Sequence, residues 1–411
     1  MIRRRQAPAC VCLAAMIQSS AASAGVWGMD PVLGAVGDYS TNPGLFNLPH
    51  TAQTNGAVLI DAPTTYNGDA FEFSVLPSFR VGDSKGYSSL ASDYEHLNVK
   101  AEWDNERGAF SATAGVSRDS SLYHDYLTNG GAGVRRDNAL ADLNWERLLT
   151  ERMDFSADLN SQRVRYGEGI GAPTLVDYKY TSLTPTLAWT TSEKNKLTLT
   201  ASAGRYDSLD GSTESTSVNL QAGFVRQWSE IWSATATAGY SRAQNKLDFE
   251  LPELVLTPTG FVFVFVHFQE KSTQNGTVYL ANVARQGSRL VLNATASRQL
   301  APTGFGYLSR QDTYDVKGTY ALSARWSLSM DARYLDAHNP QLSASPQAQT
   351  VVTDFRTESL ALSANWRWTE LLTFTVSAMR VTDRVRSPNY DVAANELTIT
   401  LSRQFNHIAF Q

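Results

Sequence analysis

The segment that decides the fold is Trp232-Ser-Ala-Thr-Ala-Thr-Ala-Gly-Tyr-Ser-Arg242, in which apolar and polar residues alternate. Successive side chains of a β-strand point to opposite faces, so this segment has one apolar and one polar face. The same alternation follows Met153, Leu290 and Trp326, with Asp, Asn, Ser, Thr and Arg in the polar register. These segments predict strands that bury one face in lipid or in a protein core and expose the other face to water.

The N-terminal residues predict export. Three arginines at residues 3–5, a short apolar stretch and a small-residue cleavage site at 22–24 form a secretory signal, so we expect residues 1–24 to be removed. Both cysteines, Cys10 and Cys12, lie in that signal. The mature chain is therefore expected to have no disulfide and no thiol chemistry.

Composition narrows the class of protein further. The chain has 35 Lys and Arg against 40 Asp and Glu, so it is mildly acidic and nucleic acid is not an expected partner. After the signal, no apolar run approaches the roughly twenty residues that a membrane-spanning helix needs. A soluble secreted β protein and a β-barrel remain, because barrel strands alternate and do not form long apolar runs.

A repeated hairpin distinguishes these two. From residue 92 the chain cycles through a strand, a short turn, a second strand and a longer polar loop. Typical short turns are Trp228-Ser-Glu-Ile-Trp232 and Trp366-Arg-Trp-Thr-Glu370, whereas the other connections are longer and rich in Gly, Asp, Ser and Tyr. One short rim and one long rim are typical of outer-membrane barrels and are not expected of a soluble sandwich.

The sequence therefore predicts an all-β protein, a transmembrane antiparallel up-and-down β-barrel of 16 to 18 strands with short periplasmic turns and long extracellular loops. Sixteen strands fall within residues 70–411, which we assign to the barrel. The N-terminal segment 25–69 supplies one more hairpin, from strands at 32–40 and 55–62, or forms a periplasmic or lumenal arm.

The connection 243–273 is the longest that the sequence predicts. Its apolar part, 246–268, has Pro258 and Gly260 at the centre, which suits a tight turn between two extended arms. We expect a hairpin that rises beyond the membrane or folds over the mouth. Because a bare apolar strand invites edge pairing, this hairpin either packs against its own loops or binds a partner.

Two outward-facing belts are expected to mark the bilayer. An indole has an apolar body and one N–H group, so tryptophans at the short turns predict a periplasmic aromatic girdle. Its members are Trp103, Trp145, Trp189, Trp228, Trp232, Trp326, Trp366 and Trp368.

At the other end of the strands the outward register leads to arginine, which can bind the phosphates of lipopolysaccharide with two parallel hydrogen bonds. These residues are Arg118, Arg163, Arg205, Arg242, Arg298 and Arg380, while Asp336 breaks the pattern. The alternative is that they cap strand ends in solvent.

The polar register predicts the lining of a lumen. A barrel of this size is wide enough for water, and mixed charge suits hydrated sugars or small polar solutes; the alternative is that these side chains only fill the barrel. The expected lining residues are Lys100, Glu102, Asp142, Glu146, Asp154, Asp158, Lys317, Asp331, Arg333 and Arg367.

The last strand, Leu397-Thr-Ile-Thr-Leu-Ser-Arg-Gln-Phe405, with Phe410 near the end, resembles the signal by which the barrel-assembly machinery takes up its clients. The aromatic residue usually ends the chain, whereas Gln411 follows here. The repeated unit across residues 70–405 and the opening Val36-Gly-Asp-Tyr-Ser-Thr-Asn-Pro43 resemble the exopolysaccharide-associated, EpsL-like outer-membrane barrels of Gram-negative bacteria. That resemblance implies a conduit or accessory in exopolysaccharide export.

No enzyme and no cofactor are predicted. The six histidines have no metal-ligand spacing, and the polar cluster around His124 is typical of a solvated loop. Three functions remain open: an accessory in exopolysaccharide export, a general or sugar-selective diffusion porin, and a non-conducting structural or adhesive barrel. The expected partners are the outer membrane with its lipopolysaccharide, the barrel-assembly machinery, and polysaccharide with periplasmic export proteins.

Overall fold

The chain forms one closed antiparallel sheet of eighteen strands in a computed structural model. The structure describes residues 25–42, 45, 52–85, 94–120, 135–167, 175–257, 260–302, 308–338, 354–386 and 389–410. The strands are β1 (Val26–Met29 and Val32–Ser40), β2 (Gln53–Asp61 and Thr64–Asn67), β3 (Phe71–Lys85), β4 (Tyr94–Asn105), β5 (Gly108–Ser120), β6 (Arg135–Thr150), β7 (Met153–Tyr166), β8 (Tyr178–Ser192), β9 (Asn195–Ser208), β10 (Thr213–Gln227), β11 (Trp232–Thr257), β12 (Gly260–Gln286), β13 (Leu290–Pro302), β14 (Leu308–Ala321), β15 (Trp326–His338), β16 (Asp354–Arg367), β17 (Leu372–Arg386) and β18 (Asn389–Gln404 and Ile408–Phe410).

Each strand pairs with its neighbours in sequence, and the first pairs with the last. Val32 lies opposite Gln404 and Ser40 opposite Glu396, which closes the barrel. The predicted antiparallel up-and-down barrel is confirmed, and its eighteen strands are the upper end of the predicted sixteen to eighteen. The two additional strands come from the N-terminal segment, which the structure places in the wall, while the signal at residues 1–24 lies outside the described residues.

Three strands are interrupted at the same height beside the closure. Pro31 and Pro63 have no N–H group and cannot donate to the ladder, so pairing in β1 and β2 breaks there. Their carbonyl oxygens accept hydrogen bonds instead, from the amide of Phe405 at 2.8 Å and from the amide of Asp30 at 3.0 Å. The break in β18 at Phe405 accounts for the irregular alternation that the sequence has there.

Turns of two to four residues connect the strands at one rim. The Ser or Thr of the repeated turn motif explains their shape. The Thr369 hydroxyl accepts hydrogen bonds from the amides of Leu371 and Leu372 at 3.3 and 3.0 Å, and Ser323 accepts from the amide of Trp326 at 3.1 Å. A hydroxyl that binds the backbone two or three residues later favours a tight turn.

The prediction that residues 243–273 form a loop is wrong, whereas the hairpin predicted within them is confirmed. Strands β11 and β12 pair without interruption from Trp232 opposite Arg285 to Thr257 opposite Gly260. The adjacent strand β10 ends its pairing opposite Leu247. Among the described residues, the arm from 248 to 257 therefore pairs only with β12 and extends about 30 Å beyond its neighbour.

The two faces of the barrel are identified by a contact across its interior. Leu308 on β14 belongs to one buried hydrophobic cluster with Val164, Tyr178 and Tyr206 on β7, β8 and β9. Strands β10 to β13 separate these residues in the wall, so they can meet only through the lumen. The register that contains Val164, Tyr178 and Tyr206 is therefore the inner face, and the strand pairings carry it around the barrel to Ser309 on β14. Leu308, the first residue of that strand, lies in the opposite register, with Asp312.

The outer face carries the apolar side chains. On β9, for example, Leu197 and Leu199 are exposed on the outside, while Tyr206 is buried on the inside. Buried hydrophobic residues are few and concentrate near the long-loop ends of the inner face. None of the described residues belongs to a helix long and apolar enough to cross a membrane.

Candidate functional site

The barrel interior is the candidate site, and its two ends differ. The structure places all ten predicted lining residues on the inner face: Lys100, Glu102, Asp142, Glu146, Asp154, Asp158, Lys317, Asp331, Arg333 and Arg367. Those near the short turns form a solvent-exposed vestibule.

Opposite charges on the inner face of the vestibule pair between adjacent strands or across one intervening strand. The ammonium group of Lys317 lies 3.3 Å from a carboxylate oxygen of Asp331, and Lys196 lies 3.3 Å from Asp154. The side chains of Lys317 and Asp331 are 63% and 47% exposed, so both pairs remain hydrated. Exposed pairs such as these contribute little to stability.

Toward the long loops the lumen narrows at the cluster of Val164, Tyr178, Tyr206 and Leu308, which we call the tyrosine constriction. The rings of Tyr178 and Tyr206 stack at 5.2 Å between centroids, and Tyr206 is fully buried. Ser215 pairs with Tyr206 in register and is also fully buried. Its hydroxyl has no hydrogen-bond partner among the residues that the structure describes. The constriction therefore combines aromatic rings with a free polar group.

A second contact covers the inner face beside the closure. Leu45, in the connection between β1 and β2, packs against Val381, Val392 and Ala394 on β17 and β18. Its amide donates to the carbonyl of Asn42 at 3.1 Å, and its φ of 49° lies in the left-handed region that residues other than glycine rarely adopt. This part of the first long connection is therefore folded inward.

The six predicted arginines lie on the outer face near the long loops, but their surroundings differ. Arg118 contacts Asp137 at 2.9 Å, Arg205 contacts Asp207 and Glu214 at 3.0 Å, and Arg298 contacts Asp312 through two nitrogens. Acidic residues thus compensate these three: Arg118, Arg205 and Arg298. For Arg163, Arg242 and Arg380, no carboxylate partner is found in the described part of the chain. Asp336, which breaks the sequence pattern, contacts Arg356 at 3.7 Å.

The predicted girdle tryptophans lie at or beside the short-turn rim, where the rings of Trp326, Trp366 and Trp368 stack in series at 5.5 and 5.6 Å. Sequence reasoning missed Trp27, the ninth tryptophan. Its ring lies 5.2 Å from Tyr66 and stacks on Phe410 at 6.2 Å, at the seam where the first and last strands meet.

The two residues of the predicted assembly signal lie at this seam. Phe410 pairs in register with Trp27, and Phe405 occupies the interruption of β18. Both side chains are exposed on the barrel, and the guanidinium of Arg403 lies over the ring of Phe405. Their role as an assembly signal stays a prediction.

Several functional candidates could not be assigned from the sequence. The tyrosines of the constriction fall in the inward register of their strands, which was the available signal. Their cluster with Leu308 joins strands that are distant in the wall, and no local pattern predicts it. His124 lies outside the described residues. Within the described ranges, no group of three or more His, Cys, Asp or Glu residues could hold a metal ion.

The fold and the polar lumen define the class: a transmembrane-type β-barrel of eighteen strands. No family model matches the chain, and no curated protein matches it. The resemblance to EpsL-like barrels therefore stays a prediction.

Solved structures with a similar fold are outer-membrane proteins. The ferric-catecholate import receptor Fiu of E. coli K12 aligns with 92% of this chain and 82% of its own, at 8% identity and a TM-score of 0.46. OccK2 (OpdF) of Pseudomonas aeruginosa aligns over 92% and 98%, at 9% identity and 0.46. A bacterial polysaccharide outer membrane secretin aligns with 92% of this chain and 98% of its own, at 9% sequence identity and a TM-score of 0.36. At these values the assignment of fold rests on the strand pairings of this chain.

Proposed function

We propose that the chain is an outer-membrane diffusion barrel of a Gram-negative bacterium that passes small hydrated solutes, with sugars as the favoured class. The observation that carries this proposal is the inner face: a hydrated vestibule of paired charges leads to the tyrosine constriction. Side chains that only filled the barrel would bury one another, whereas Lys317 and Asp331 of the vestibule remain solvent-exposed. Passage through such a lumen requires no catalytic residue and no cofactor.

The residues of the tyrosine constriction suit sugars better than inorganic ions as solutes. When the constriction opens, the rings of Tyr178 and Tyr206, which are buried in the narrowed barrel, can stack on the C–H faces of a sugar, and the hydroxyl of Ser215 can form hydrogen bonds with its hydroxyl groups. The contact of Leu308 with Tyr206 spans the lumen, so the passage at this level suits a small solute better than a thick polymer.

Conductance tests the proposal directly. The purified full chain is inserted into planar bilayers, and the same preparation is used in liposome-swelling assays with a monosaccharide, a disaccharide and a longer oligosaccharide. We expect discrete conductance steps and swelling that falls with sugar size. Inserted barrels that give neither steps nor swelling would refute the proposal.

The second candidate is an accessory in exopolysaccharide export, as the sequence resemblance implies. The observation that favours it is the inward-folded long-loop end, where Leu45 and Leu308 pack against the inner face. A barrel narrowed in this way can act with periplasmic export proteins without being an open pore. Loss of polymer at the cell surface on deletion of the chain, restored by a non-conducting variant, would favour this candidate.

A further inference from the structure

One part of the outer face has a groove of about 490 Å³ across strands β3 to β7. Its floor is apolar and consists of Phe79, Leu97, Val116 and Ala139. Leu97 pairs with Val116, and Val116 pairs with Ala139, so these three residues follow one row of the sheet, while Phe79, opposite Glu95, lies in the next row of the same face. The small side chain of Ala139, between Val116 and Arg163, leaves the space that makes the groove.

Arginines border the groove on its long-loop side. Arg163 lies beside Ala139 in register, and Arg165 lies beside Asp137. In the described part of the chain, neither Arg163 nor Arg165 has a carboxylate within ion-pair distance. Lys179 pairs in register with Arg163 and adds a third positive charge on the same face.

The acidic residues here already have partners. Asp137 accepts from Arg118 at 2.9 Å and lies 3.3 Å from Arg135, and Glu95 lies 3.5 Å from Arg118. This network holds the rim together and leaves a positive excess at Arg163 and Arg165. Arg205 and Arg298, elsewhere on the rim, lie against their own carboxylates and have no such excess.

The groove lies at the height of lipid headgroups. Arg118 is eight residues along β5 from Phe110, which packs in the row of Trp103 and Trp145 at the opposite belt. At about 3.3 Å per residue and a tilt of about 40°, this separation is about 20 Å along the barrel axis, close to the thickness of the apolar band. An apolar floor below positive charge is complementary to an amphiphile with an anionic head.

We propose that this groove binds a single phosphorylated, acylated glycolipid of the outer leaflet, with a phosphate on Arg163 and Arg165 and an acyl chain along Ala139. A localised site replaces the continuous arginine ring that the sequence predicts. The inference rests on the proposed outer-membrane location but not on conduction through the lumen.

The test measures binding of bisphosphorylated lipid A to the purified full chain in detergent by native mass spectrometry. The variant R163Q/R165Q removes the free charges, and A139F fills the groove while keeping them. The matched control, R356Q/R384Q, removes two outward rim arginines that contact Asp336 and Asp391 at 3.7 and 3.8 Å. Dephosphorylated lipid A and inorganic phosphate are tested separately, to distinguish the headgroup from free anion.

We expect R163Q/R165Q to weaken lipid A binding about tenfold or more, since two charge-assisted contacts are lost. A139F should also weaken it, and R356Q/R384Q should bind as the wild type does. Equal binding by R163Q/R165Q and the wild type would overturn the proposal, as would equal binding of dephosphorylated lipid A. Single-channel conductance of R163Q/R165Q should be unchanged, so a non-conducting wild-type barrel would contradict the proposed function and leave the lipid site intact.

Discussion

Replacing Leu308 with alanine should open the tyrosine constriction. Leu308 is 1% exposed and is the residue of β14 that reaches Val164, Tyr178 and Tyr206 across the lumen. Alanine removes the part of the side chain that makes this contact. The wall should remain intact, because the backbone pairing of Leu308 with Pro302 does not depend on the side chain.

The size of the effect follows from burial. Truncating a fully buried leucine to alanine costs about 3 kcal/mol. If the contact exists only in the narrowed state, that amount shifts the equilibrium between narrowed and open states about a hundredfold toward the open state. The variant should therefore spend far more time at high conductance than the wild type.

Single-channel recording in planar bilayers measures this equilibrium as the fraction of time spent in each conductance level. The matched control is L199A, which removes an equivalent side chain from the outer face of β9, where Leu199 is 50% exposed. Folding of the L308A barrel is verified by its heat-modifiable mobility on gels. A folded L308A barrel with the same conductance levels and occupancies as the wild type and L199A would refute the assigned constriction.

Three further outcomes are expected. K317Q leaves the carboxylate of Asp331 unpaired in the vestibule, so reversal potentials in a salt gradient should shift toward cation selectivity; no shift would remove this pair from the pathway. W27A deletes a ring that contacts Tyr66 and Phe73 and stacks on Phe410 at the seam, so thermal unfolding should occur about 3 °C lower. Each aromatic pair contributes about 1 kcal/mol, which corresponds to about 1 °C in a chain of 411 residues. Burial raises the pKa of Asp210, in the connection between β9 and β10, but hydrogen bonds from the amide and hydroxyl of Ser212 outweigh it and leave the pKa below its usual value. The ionised carboxylate of Asp210 therefore stabilises this turn at pH values above the ordinary aspartate pKa, and this stabilisation is lost as the pH falls through the lowered pKa of the folded state. Limited proteolysis at this turn should therefore increase at acid pH in the wild type and change less in D210N.

The architecture could be predicted from the sequence because it depends on local signals. Alternation along each strand, a hydroxyl residue in the short turns and tryptophan beside them are all readable residue by residue. The strand ends were predicted at residues 243 and 274, whereas the first strand continues to Thr257 and the second begins at Gly260. The ends were misplaced because a hairpin that extends beyond the wall has the same alternation and turn residues as one within it. The seam around Trp27 was missed because Pro31 and Pro63 interrupt the first two strands and hide their length.

The candidate site was harder to predict from the sequence than the fold, because its chemistry depends on the register between strands. Arg298 lies opposite Asp312, and Arg205 contacts Asp207 on its own strand and Glu214 on the next. Asp137 lies opposite Arg165 but is already bound by Arg118 and Arg135. A shift of a single residue would exchange these partners and turn the side chains to the other face. The cluster that contains Leu308 and Tyr206 joins strands that are far apart in the wall, which no periodicity along a single strand encodes.

The central claim is that the apolar register of the strands meets lipid and the polar register meets a water-filled lumen. Single cysteines placed in turn along residues 197–205 of β9, with the barrel in liposomes, test it by labelling with a membrane-impermeant maleimide and by quenching with lipid-attached spin labels. The account predicts strict alternation: positions in register with Leu199 are quenched by lipid, and positions in register with Ser202 are labelled from water. Uniform aqueous labelling, or quenching without a two-residue period, would contradict it.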